Sequence, residues 1–149
     1  MRTQKNKNLY NKDFCLWSYT QADLLRKEKF SEADLENIIE EIESLGRRDK
    51  RSLISETERL LHHLLKLSFT PERKGNSNSW EGSIRPSRRH IKQLIEESPS
   101  LKNEFKKIIP KAYKEALSLA IWDSDYDETL FPKECPWTME EILNDNELC

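Results

Sequence analysis

Only three glycines are spread over 149 residues. Glycine supplies the positive backbone angles that tight turns demand, so strand hairpins are scarce and an all-α chain is expected. Cysteine is equally sparse. Cys15, Cys135 and Cys149 are odd in number and scattered, with no Cys-x-x-Cys pair. That argues against a zinc site and fits unpaired thiols in a reducing cytosol. The chain is long enough to bury a core without disulfides. No apolar run approaches the ~20 residues of a membrane-spanning helix. The polar, basic residues 1–8 lack the apolar segment of a secretory signal and read as a frayed tail. A cytoplasmic location with no membrane partner is expected. No phosphate-binding glycine loop, nucleophile elbow or dinucleotide fingerprint occurs, so no cofactor is expected either.

What the chain holds in quantity is charge. Asp, Glu, Lys and Arg make up 35% of it against 36% hydrophobic residues. That balance suits a small helical bundle with a thin core, and the length suits one domain over residues 9–149. The formal net charge of −2 conceals an asymmetry: residues 1–46 carry −2, residues 47–114 carry +9 and residues 115–149 carry −9. Two readings stand. Either the acidic tail folds over the basic middle, or the basic middle is a surface for an acidic partner such as nucleic acid.

The dominant pattern is an apolar stripe at helical spacing. Leu35, Ile38, Ile39, Ile42 and Leu45 recur every few residues, Gly46 follows, and Leu53, Thr57, Leu60, Leu61, Leu64 and Leu65 resume the period. Such a stripe is built to pack on other helices. Gly46 is read as a stop or a sharp change of direction between two helices, since glycine takes a left-handed cap at little cost; one bent helix through it is the alternative. The first helix of the pair is expected to open at Ser31, where Ser31-Glu32-Ala33-Asp34 approximates a capping box with Phe30 as staple. The second should end at Phe69, because proline disfavours helix at the residue before it and Pro71 follows Thr70.

Ahead of this pair, a helix from Leu9 should dock Tyr10, Phe14 and Trp17 on the core. Beyond it, residues 74–79 are small and polar and read as a loop. Trp80 to Glu97 should be mostly helical on the stripe Ile84, Ile91, Leu94 and Ile95, with Arg85, Arg88, Arg89 and Lys92 projecting elsewhere; the helix can begin at Pro86. A turn at Ser98-Pro99-Ser100 leads to a long helix from Leu101 that Pro110 should kink or split. The segment from Asp123 to Glu128 is helix-poor. Phe131-Pro132 and Cys135-Pro136-Trp137 form a Pro-rich wrap, and Thr138 can cap a last helix through Leu143. The expected architecture is an irregular single-domain bundle of about five or six helices.

Several stretches together resemble one family. They are Tyr10-Asn11-Lys12-Asp13-Phe14-Cys15-Leu16-Trp17, Glu40-Glu41-Ile42-Glu43-Ser44-Leu45-Gly46-Arg47, His63-Leu64-Leu65-Lys66, Ser79-Trp80, Ile84-Arg85, Arg88-Arg89, Ser98-Pro99-Ser100-Leu101 and Phe131-Pro132-Lys133-Glu134-Cys135-Pro136-Trp137. The chain resembles the domain of unknown function 29 family over about residues 9–143. The resemblance implies a helical fold, a bacterial source of the kind abundant in cyanobacteria, and a soluble protein. It implies no activity, and no residue role is carried over.

Four constellations bear on chemistry. Glu36, Glu40 and Glu43 share a helical face, but a di-iron site needs paired Glu-x-x-His elements, and Glu58 to His62 is spaced four with no second copy. No metal is expected; the glutamates are expected to pair with Arg47, Arg48 and Arg51. His62 and His63 are adjacent and should face different sides of their helix, with His63 a candidate general base beside Lys66. Arg85 and His90 have a spacing seen in helical ribonucleases, and with Arg88, Arg89, Lys92 and Trp80 they compose a surface that can grip phosphate and stack a base. Cys135 has acidic neighbours, Glu134 and Asp127, which raise a thiol pKa and favour a packing role. The expected function is a cytosolic bacterial accessory or protein-interaction module without catalysis, contacting an unknown protein partner through the basic face. The alternative is a nucleic-acid-binding protein or metal-independent ribonuclease using Arg85, His90 and His63.

Overall fold

A computed structural model describes residues 8–71 and 73–146, with side chains described outside 72–80. After a short helical segment over residues 8–12 come α1 (Phe14–Arg26), α2 (Leu35–Phe69), α3 (Arg73–Glu97), α4 (Leu101–Asp123), a 3₁₀ turn (Glu128–Leu130) and α5 (Met139–Leu143). The described residues contain no strand, so the fold is all-α. None of their helices is long and apolar enough to cross a membrane. The chain groups into two compact units, which divide between Arg48 and Asp49. Residues 1–7 of the expected tail, and Cys149, lie outside the described residues.

The first unit is held by a polar knot. Asp13 caps α1, its side chain accepting from the Leu16 amide at 3.0 Å; this cap divides the single helix expected from Leu9. Trp17, 3% exposed, donates from Nε1 to Asp34 at 3.1 Å, and the Asp34 amide donates to Gln21 at 2.7 Å. Tyr10 sits edge-on to Trp17, with ring centroids 4.8 Å apart, and its hydroxyl donates to Glu41. Phe14 stacks on Trp17 but stays 50% exposed, so it does not enter the core as expected. Asp34 also sets the start of α2, where the Ile38 amide donates to its carbonyl at 3.0 Å. The expected start at Ser31 is therefore displaced. Residues 30–33 form turns instead, because the Trp17 and Gln21 contacts anchor Asp34 and outweigh a local capping pattern.

α2 runs through Gly46 without a break, which overturns the expected stop. Gly46 does not take the positive φ that a glycine cap requires. Arg47 reaches back across it to Glu40 at 2.5 Å and Glu43 at 3.6 Å. A glycine inside a helix costs about 1 kcal/mol relative to alanine, which a 35-residue helix tolerates.

The second unit holds the hydrophobic core. Leu53, Leu60, Leu61, Leu64, Leu65 and Leu67 of α2 pack with Ile84 and Ile91 of α3 and with Phe105, Tyr113, Ala116 and Ala120 of α4. α2 ends at Phe69 as expected, and Thr70 closes it by donating through amide and hydroxyl to the Lys66 carbonyl. The expected loop over 74–79 is helical, since α3 begins at Arg73. Ser and Asn are only weakly unfavourable in helices, so a continuing helix can run through them. α4 likewise remains one element through Pro110, held by buried Phe105 before it and buried Ala112 and Tyr113 after it. The Pro-rich wrap is present. Phe131 is buried, the Tyr113 hydroxyl donates to the Pro132 carbonyl at 2.5 Å, and Trp137 packs on Phe69. Thr138 and Glu141 complete a reciprocal capping box at the start of α5.

Candidate functional site

Three surfaces carry the chemistry of this chain. The first is the basic stretch of α3. Arg88 does not lie on it. It is 1% exposed, donating from Nε to the Ile142 carbonyl at 2.7 Å and from Nη2 to the Glu141 carbonyl at 3.5 Å. Those carbonyls belong to the last turn of α5, where a cation is favourably placed at the negative helix end. The signal was present in the sequence: Arg88 stands four residues after Ile84 and three before Ile91, in register with the apolar stripe. Lys92 bonds Asp145 at 2.8 Å, and this hydrogen bond holds the Asp145 carboxyl below its ordinary pKa. The acidic tail thus meets the basic middle at named points, as one of the two charge readings expected.

Arg85 and Arg89 remain exposed. With Lys92, Gln93, Glu96 and Asp145 they line a shallow groove of about 730 Å³. His90 is not part of it. Five residues along a helix turn the side chain about 140° from Arg85, and His90 instead faces Glu56 of α2 with Nδ1 3.4 Å from the carboxylate. The Trp80 side chain lies outside the described residues.

The second surface is a cleft of about 630 Å³ lined by Ser55, Glu58, Arg59, His62, His63 and Glu115, with exposed Trp122 at its edge. The two histidines do not face different sides, as adjacency suggested. Their ring centroids lie 5.1 Å apart, since neighbouring helix positions differ by only about 100° and both can border one cleft. His62 Nε2 and Lys66 Nζ each lie 2.9 Å from the same Asp123 oxygen, and burial lowers the His62 pKa. His63 has a buried Nδ1 without a hydrogen-bond partner among the described residues. Burial, then His62, Lys66 and Arg59, pushes its pKa down to about 4. Burial and the Glu115 charge raise Glu58. His63 is therefore neutral at pH 7, yet a base whose conjugate acid ionises near pH 4 is poorly matched to proton abstraction there. The cleft is suited to holding a polar group more than to general-base work.

The third surface was expected in the core. On the first half of α2, Leu35, Ile39, Ile42 and Leu45 are 45%, 55%, 63% and 56% exposed, and only Ile38 of that stripe is partly covered. Gly46 continues the face, and a Cβ built on it meets nothing within 4 Å. Phe30 of the same unit is 54% exposed. The other side of this half-helix is ionic, with Glu40 and Glu43 on Arg47, which meets the expected glutamate–arginine pairing for two of its three glutamates and one of its three arginines.

A family model described as a domain of unknown function, DUF29, matches residues 9–148. The chain belongs to the DUF29 family. No curated protein and no solved structure matches it. Several stretches that carried the resemblance to DUF29 fall on the features just described. Residues 40–47 contain Ile42, Leu45 and Gly46 of the uncovered face. Lys66, in the stretch with His63, bonds Asp123. Arg88 clamps α5. Cys135 packs in the wrap with its thiol toward the Trp137 carbonyl at 3.5 Å, and burial, more than any acidic neighbour, raises its pKa. Among the described residues of this DUF29 chain, no three His, Cys, Asp or Glu side chains lie together as metal ligands.

Proposed function

We propose that this DUF29 chain is a cytosolic bacterial protein-interaction module that works without a chemical step. Its contact surface is the uncovered apolar face of α2, in place of the basic face favoured by the sequence. The observation that carries this reading is the run Leu35, Ile39, Ile42 and Leu45, all more than 40% exposed on one side of a helix. Fully burying a Leu or Ile side chain stabilises by about 1.5–3 kcal/mol, so four half-exposed ones favour a partner that covers them. Contiguous apolar patches on soluble proteins mark such contacts.

A photo-crosslinking amino acid placed at Ile42, and as a control at exposed Lys102 of α4, tests the reading in cells. An adduct of discrete mass at position 42, lost on Leu45→Glu and missing at position 102, is expected. No adduct at position 42, or the same adducts at both positions, would overturn it.

Nucleic-acid binding through Arg85 and Arg89 is a second reading, favoured by two exposed guanidiniums on one groove. Two features weigh against it: Lys92 is engaged by Asp145, and His90 turns to Glu56. RNA binding that falls steeply with salt and is lost on Arg85→Ala with Arg89→Ala would support it.

A further inference from the structure

We infer that the partner of the uncovered α2 face is a second copy of this chain, paired antiparallel over residues 35–51; the inference rests on the interaction reading above and names its occupant. Three observations converge. The first is register. At about 100° per residue, Leu35, Ile39, Ile42, Leu45 and Gly46 fall within an arc of roughly 120°, the width of a helix-packing stripe, with half-buried Asp49 on the same arc near the end of the paired strip. Leu53, five turns beyond Leu35 and so on the same side, is fully buried within its own unit. The stripe is thus of the kind that this chain covers with helices wherever it covers it.

The second is the order of charge beside the stripe. On one flank Glu36 precedes Lys50, which also lies 3.8 Å from Glu104 of its own chain; on the other Glu41, which accepts from Tyr10, precedes Arg48. A parallel pair would set glutamates against glutamates and cations against cations. An antiparallel pair centred near residue 43 brings Glu36 opposite Lys50 and Glu41 opposite Arg48, on both flanks and in both directions. Self-complementarity of this kind is what a two-fold dimer requires. Charge pairing of this sort fixes orientation and partner more than it adds affinity.

The third is Gly46. It lies inside a 35-residue helix, lacks a positive φ, and among the described residues no atom beyond its own stretch of helix lies within 4 Å of the place of a missing Cβ. Nothing among the described residues therefore calls for glycine there, while alanine would suit the helix better by about 1 kcal/mol. In the antiparallel register Ile39 of the second copy crosses Gly46, and the missing methyl admits its branched side chain. Ile42 of each copy meets Leu45 of the other. The paired strip is about 25 Å long, smaller than the roughly 800 Å² per partner of a standard stable interface, so an affinity on the order of micromolar is expected.

Sedimentation equilibrium of the purified full chain from low micromolar to near-millimolar concentration tests the pairing. A monomer–dimer equilibrium is expected, weakened at least about tenfold (~1.4 kcal/mol) by Ile42→Glu. Ile42 is 63% exposed, and unchanged helicity would confirm that the variant folds. Orientation is read from a spin label on Glu36→Cys with Cys15, Cys135 and Cys149 changed to serine. An interspin distance of about 25 Å is expected for the antiparallel pair, against roughly 10 Å for a parallel one. A monomer at every concentration, a dimer indifferent to Ile42→Glu, or the short distance would each overturn the inference. A monomer whose position 42 still crosslinks to a different protein in cells would sink the self-pairing alone and leave the interaction reading standing.

Discussion

The two halves of α2 share one helical period and meet opposite fates. From Leu53 onward the apolar side is closed, with Leu53, Leu60, Leu61 and Leu65 at 0% exposure. From Leu35 to Leu45 the same kind of side is open, every large residue but Ile38 being about half exposed or more. Periodicity reports which side of a helix is apolar; it does not report whether the chain owns anything to cover it. The second unit supplies α3, α4 and the wrap as cover. Among its described residues the first has α1 and a short helical segment, and Trp17 is the one large apolar side chain buried there.

Substitutions that truncate each half should break the symmetry of the pattern. Leu60→Ala is expected to destabilise by about 3 kcal/mol, through lost burial and the cavity left behind, measured by urea unfolding of the chain. Arg88→Ala comes next. It leaves the Ile142 and Glu141 carbonyls without their buried donor, at about 2 kcal/mol; hydrogen exchange should rise in α5, while Arg89→Ala changes neither. Gly46→Ala should raise the stability of dilute, monomeric protein by up to about 1 kcal/mol and weaken self-association at high concentration. These opposite signs at one site separate the helix from its partner. Ile42→Ala closes the series, with a monomer effect within about 0.5 kcal/mol. A loss near that of Leu60→Ala would mean that the face is covered by its own chain.

Acid should destabilise the covered half. His63 sits near pKa 4 when folded against 6.5 when exposed. The unfolded chain therefore binds the proton more readily, and stability is lost as pH falls from about 6.5 toward 4. Burial lowers His62 in the same direction. His63→Leu should flatten this part of the stability profile measured by urea unfolding at each pH. An unchanged slope would show that the His63 environment is wetter than its buried Nδ1 implies.

What was legible in the sequence was local. The end of α2 at Phe69, the turn before Leu101 and the Thr138 cap depend on a few adjacent residues, and proline and capping chemistry act at that range. The all-α class followed from the same local periodicities. What was missed depended on distant partners. Asp34 starts α2 because Trp17 and Gln21 hold it. Arg88 is buried because the end of α5 comes to it. Gly46 reads as a stop only while its backbone angle is unknown. His62 and His63 share a cleft because Glu115 and Leu119 of α4 border it. The candidate site was harder still, since an exposed apolar face and a buried one are written identically in the sequence.

Hydrogen exchange followed as a function of protein concentration addresses the contrast most directly. Protection of residues 35–46 should rise as the concentration passes through the micromolar range, while that of residues 53–69 stays constant. Protection of residues 35–46 that is already high in dilute protein, and constant thereafter, would contradict the claim that the first half of α2 is a surface awaiting a partner.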